Sequence, residues 1–233
     1  MKKTEEQKLT ATEKLANEAN SWIAKNAKIV GIIGGVVVVA IIALAVLFSQ
    51  LDKKTNEQFT SIELVCSTYN SLFSYDPETE EYAAAYSEFK AGADELVATV
   101  GLKKYPGAKA ALLLADYAFL EEKDYEKALA GYLEVAEAQS KTYLAQVAAI
   151  NIAVCYDNLN NVDAALEAYN NLWDKYGKDG LYASRALFNS ARLYEAKGQM
   201  DLAIATYEQL LGEFQDMASE YAKLAQSRIA QLN

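Results

Sequence analysis

Hydrophobic positions fall into three regimes along the chain. Ile29 to Phe48 (IVGIIGGVVVVAIIALAVLF) is a block of twenty residues with neither a charge nor a polar stripe. At about 1.5 Å of rise per residue, such a helix covers roughly 30 Å, the thickness of a hydrocarbon core. Before the block, Leu9, Leu15, Ala16, Ala19, Trp22 and Ile23 recur at helical spacing, which predicts a helix lying near a membrane surface. After it, apolar residues return every three or four positions almost to the end, the spacing of helices that bury one face. Nothing reads as a strand, so the expected fold class is all-α.

The block reads as an uncleaved signal anchor. Ala43-Leu44-Ala45 resembles a small-x-small cleavage site, but the stretch ahead of it is longer than a signal peptide carries, and so is the apolar run. Residues 1–28 hold six Lys against four Glu, a net +2, so of the total charge of −10, −12 lies beyond them. Lys14, Lys25 and Lys28 precede the span and Lys53 and Lys54 follow it. The positive-inside rule then predicts a cytoplasmic tail (1–28), a transmembrane helix (29–48) and a C-terminal portion across the membrane. Trp22 suits the interfacial aromatic belt, and Gly31 with Gly35 makes a Gly-x-x-x-Gly pair that would suit a homodimer through the span.

Self-similarity organises the rest. Phe119, Asp124, Ala128 and Tyr132 align with Tyr156, Asn161, Ala165 and Tyr169, and again with Tyr194, Gln199, Ala203 and Tyr207, at offsets of 37 and then 38 residues. Each unit reads as helix, short turn, helix. The Ala positions are where paired helices approach closely, the Tyr one turn later fills the gap between units, and the polar residue satisfies free backbone groups in the turn. Three units are expected over 108–217. Within 51–107, Thr55 to Phe73 and Thr79 to Val100 suggest a degenerate helix pair, with Asp76-Pro77 starting the second helix. Ala218 to Leu232, within 218–233, is expected to cap the array.

Candidate chemistry is sparse. The chain has no His, which removes His triads, His metal sites and imidazole switches. It shows no Gly-rich phosphate loop, nucleophile elbow or metal-ligand cluster, so no catalytic, cofactor or metal site is expected. Glu121 and Glu122 read as a solvated helix end, and the sixteen Tyr read as core because they recur at packing positions. An acidic domain without a basic stripe argues against nucleic acid as a partner. Cys66 and Cys155 could close a disulfide loop; two separate buried thiols are the favoured reading.

The aligned units resemble the tetratricopeptide repeat, whose helix pairs stack into an α-solenoid. They depart from it in length, in Leu112, Ala149 and Leu187 where the repeat has Trp, and in Asp116, Ala153 and Ala191 where it has Gly. The resemblance implies an inner wall formed by the first helix of each unit: Leu113, Tyr117 and Leu120; Ile150, Val154 and Asp157; Arg185, Phe188 and Arg192. That mix would take an extended segment or helix bearing carboxylates. Alternatively, several of its apolar members pack under the preceding helix pair.

The layout, together with Ser21-Trp22-Ile23-Ala24-Lys25-Asn26-Ala27-Lys28 ahead of the span, resembles a bacterial inner-membrane family of ancillary Sec translocon subunits. That resemblance implies an adaptor in the inner membrane whose periplasmic repeats bind translocon subunits, envelope chaperones or client polypeptides. A structural scaffold that organises an envelope complex without binding unfolded clients is the alternative.

Overall fold

The computed structural model describes residues 11–214 and 220–232, which leaves Leu9, the end of the third expected repeat (215–217) and Ala218 outside the described residues. The chain divides into two units, Met1–Asn56 and Glu57–Asn233. All regular structure among the described residues is helical.

The first unit holds α1 (Ala11–Lys25) and the start of α2 (Ala27–Leu72). Asn26 separates them, and its side-chain amide donates to the Trp22 carbonyl at 2.8 Å. The large apolar side chains from Ile29 to Phe48 are exposed except that of Val30, which is half-buried. A Cβ built on Gly31 or Gly35 would meet nothing within 4 Å.

The second unit continues with the end of α2, then α3 (Glu80–Val100), α4 (Tyr105–Tyr117), α5 (Tyr125–Ala138), α6 (Tyr143–Asn158), α7 (Val162–Tyr176), α8 (Ala183–Ala196), α9 (Met200–Glu213) and α10 (Glu220–Leu232). Two sequence expectations need correction. The helix expected to begin at Thr55 is the continuation of α2, because residues 49–54 contain no Gly or Pro and the Thr55 hydroxyl donates back to the Leu51 carbonyl at 2.8 Å. Nor does Asp76-Pro77 start α3. Asp76 closes a turn by accepting from the Glu78 N–H at 3.0 Å, and the N-cap is Thr79, whose hydroxyl accepts from the Tyr82 N–H at 3.3 Å.

The array is built from four apolar clusters, each filled by three consecutive helices. Each of α4, α6 and α8 divides its buried residues between two clusters: Leu113 packs with α2 and α3, whereas Leu112 and Ala115 pack with α5 and α6. This is the one-dimensional packing of a solenoid, in which a helix pair buries its faces only against its neighbours. Ala128, Ala165 and Ala203 are fully buried at the helix crossings, and Tyr132, Tyr169 and Tyr207 are buried one turn later.

The three turns share one backbone device. Lys123, Asn160 and Gly198 occupy the same register position and all have positive φ, at 55°, 56° and 72°. The next residue caps the second helix: Asp124 accepts from the Lys127 N–H at 2.9 Å and Asn161 from the Ala164 N–H at 3.3 Å, while Gln199 makes no side-chain cap. In the first repeat a π-helical turn, Ala118–Glu122, precedes the turn residue. Its tight crossing is made without the expected first-helix Gly, because Gly131 on α5 lies against Ala115. A Cβ at Gly131 would come 2.9 Å from that methyl.

Candidate binding surface

The first helices α2, α4, α6 and α8 are joined by side chains that reach from one pair to the next. Asp116 on α4 accepts from the Tyr132 hydroxyl at 2.6 Å and from Asn151 Nδ2 on α6 at 3.4 Å. Burial pushes its carboxyl above the ordinary range, against the opposing effects of the Tyr132 hydrogen bond and the Lys109 charge. Asp157 on α6 pairs with Arg192 on α8, and Glu195 on α8 pairs with Arg228 on α10. Glu195 also accepts from the Tyr207 hydroxyl at 2.6 Å. The hydrogen bond from Arg228 holds its carboxyl below the usual range.

The residues that the resemblance assigned to an inner wall meet different fates. Leu113 and Ile150 are buried in the core, Leu113 beneath the preceding helix pair. Tyr117 stacks on Tyr86 of α3, with ring centroids 4.6 Å apart, and its hydroxyl lies 3.2 Å from that of Tyr82. Val154 is half-buried against its cluster. Phe188 is half-buried between Tyr207 and Tyr221, with centroids 5.6 Å from each. Asp157 and Arg192 come together as the ion pair above, Arg185 is half-buried, and Leu120 is exposed.

Two polar links and a rim escaped the sequence reading. Ser190, buried, donates to Asn170 Oδ1 at 2.9 Å, and the Leu181 N–H donates to Gln146 Oε1 at 2.9 Å. Tyr105, at the start of α4, stacks on Phe59 within α2 at 6.0 Å and lies 6.4 Å from Tyr143 at the start of α6, the two tyrosine hydroxyls 3.2 Å apart. Tyr105, Tyr143 and Leu181 are spaced at the repeat period, a signal present in the sequence but outside the aligned core positions. Cys66 and Cys155 are both free; Cys155 is buried as expected, whereas Cys66 is half-exposed. Burial pushes the Cys155 thiol up to about 12, which suits a packing role better than a reactive one. Among the described residues no group of three or more His, Cys, Asp or Glu could hold a metal ion.

With this geometry in view, residues 147–179 and 185–216 match the tetratricopeptide repeat family model. Both segments are similar to the tetratricopeptide repeat. The matched segments are the α6–α7 and α8–α9 hairpins; α4–α5 has the same turn and packing and lies outside the match. A TPR repeat-containing protein of Treponema pallidum is 34% identical over 110 residues, which cover 47% of this chain and 44% of the relative. A TPR repeat-containing protein of Methanocaldococcus jannaschii is 36% identical over 100 residues, 40% of this chain and 29% of the relative. The chain thus spans less than half the length of either curated relative. No solved structure gives a significant match. Tetratricopeptide repeats are protein-binding scaffolds, and neither the matched family nor the relatives indicate an enzyme.

Proposed function

We propose that this protein is a single-span adaptor of the bacterial inner membrane, with its N-terminus in the cytoplasm and its repeats binding proteins on the periplasmic side, in translocation or chaperone handover. The observation that carries the reading is the combination, in one chain, of tetratricopeptide-like hairpins with an apolar helical stretch, Ile29 to Phe48, whose large side chains, Val30 apart, are left exposed by the described residues. Leaving such a stretch in water is costly, and a bilayer removes the cost. The net-positive tail and net-acidic repeats support the orientation. Of the assigned wall, Arg185, Phe188, Arg192 and Asp157 on α6 and α8, with Val154, Tyr117 and Leu120, remain partly open to a partner, whereas the buried Leu113 and Ile150 do not. A homodimer through Gly31 and Gly35 belongs to the same reading.

Cross-linking the full chain in its native membrane tests the reading. Recovery of translocon subunits, envelope chaperones or translocating clients is expected, and recovery of none of them would end it. The scaffold alternative is favoured by the internal pairing of Asp157 with Arg192, which uses charge that a client would otherwise meet. It predicts that the chain recovers fixed envelope components and binds no unfolded polypeptide.

A further inference from the structure

Four exposed apolar side chains stand on neighbouring layers: Tyr105 (38% exposed) and Tyr143 (48%) open α4 and α6, Leu181 (60%) lies just ahead of α8, and Phe59 (43%), within α2, stacks on Tyr105. The ring contacts place Phe59, Tyr105 and Tyr143 in one row, and the bond from the Leu181 N–H to Gln146 sets the Leu181 backbone beside the first turn of α6. The loops that lead into α4, α6 and α8 carry the exposed residues Lys103, Lys104, Lys141 and Lys178, against only Asp179 of opposite sign. None of these four Lys enters an ion pair among the described residues. A basic, aromatic rim is therefore set into a domain that is otherwise strongly acidic.

We infer that this rim docks on the surface of an anionic bilayer. The inference rests on reading Ile29 to Phe48 as a membrane span. Phe59 lies eleven positions after Phe48, so even a fully extended chain keeps it within about 40 Å of the end of the apolar block. That tether holds the rim at high local concentration near lipid. The side chains have matching chemistry. Tyrosine rings with one wet hydroxyl favour the headgroup level, Phe and Leu favour the acyl boundary, and lysines are drawn to anionic headgroups. Docking would bury the row of exposed rings and give the unpaired ammonium groups counterions.

The test uses the full chain with Cys66→Ala and Cys155→Ala, reconstituted into vesicles of phosphatidylcholine and phosphatidylglycerol. A spin label is placed either at Ser140→Cys, in the loop between α5 and α6, or at Leu202→Cys, exposed in the first turn of α9 at the other end of the hairpins. The expected result is a several-fold higher ratio of oxygen to nickel-chelate accessibility at position 140 than at 202. That difference should shrink in phosphatidylcholine alone and vanish in the Tyr143→Ser, Leu181→Ser variant, whose helicity is checked by circular dichroism. Equal, water-like accessibility at both positions in a chain that stays with the vesicles overturns the docking and leaves the anchor standing. Release of the chain by carbonate overturns the anchor, and the docking with it. Protection of position 140 only after an unfolded polypeptide is added assigns the rim to peptide and also overturns the inference.

Discussion

At the scale of single residues, equivalent tyrosines do unequal work. Tyr132 and Tyr207 each donate to a carboxylate, Asp116 and Glu195 respectively, whereas the Tyr169 hydroxyl has no such acceptor among the described residues. Tyr132→Phe leaves a buried carboxylate short of a donor and is expected to cost about 1–3 kcal/mol, with Tyr169→Phe clearly milder; urea unfolding of the two variants measures the difference. The two carboxylates should also act in opposite senses with pH. Burial raises Asp116, so the folded chain holds that proton more tightly than the unfolded chain, and stability falls as pH rises from the ordinary carboxylate value to the raised one. Asp116→Asn should abolish that descent. The Arg228 hydrogen bond lowers Glu195, whose contribution is present above the ordinary carboxylate value and lost as pH falls through the lowered one. Arg228→Gln should flatten that acid limb. Melting curves of both variants from about pH 3 to pH 7 test the pair of signs.

At the scale of elements, the shared left-handed position predicts where the turns can be improved. Lys123 holds φ at 55° where the third repeat has Gly198. A side chain in this region costs roughly 1–2 kcal/mol, so Lys123→Gly should stabilise the chain by part of that amount in thermal unfolding. Gly131 predicts the reverse: Gly131→Leu would drive α4 and α5 apart at Ala115, with an expected loss of about 1–3 kcal/mol by the same measurement. Much of this level was legible in the sequence. The alignment of Asp124, Asn161 and Gln199 located the hairpin turns, and the Ala and Tyr positions located the crossings, because repeated local chemistry leaves a repeated pattern. The junction ahead of the repeats was less legible. Two turn signals, Asp76-Pro77 and Thr79, lie within four residues, and only hydrogen bonding shows which one caps α3. Likewise, no residue between the apolar block and Thr55 marks a helix end, and α2 runs through.

At the scale of the molecule, neighbour-only packing predicts unfolding that begins at an end. α10 covers Phe188 through Tyr221 and supplies Arg228 to Glu195. Ending the chain at Phe214 should raise hydrogen exchange in α8 and α9 well before it changes α4 and α5, because the lost contacts belong to the last cluster. The tetratricopeptide hairpins and the apolar block at Ile29 to Phe48 could be read from the chain alone, since each follows from local periodicity and composition. Which first-helix side chains remain open to a partner was decided only by tertiary packing. Leu113 and Ile150 belonged by register to a wall, yet neighbouring helices bury them, and Asp157 finds Arg192 thirty-five residues away. Register says which way a side chain points along its own helix; what covers it depends on the next helix, and that contact is not encoded at any fixed spacing in the sequence.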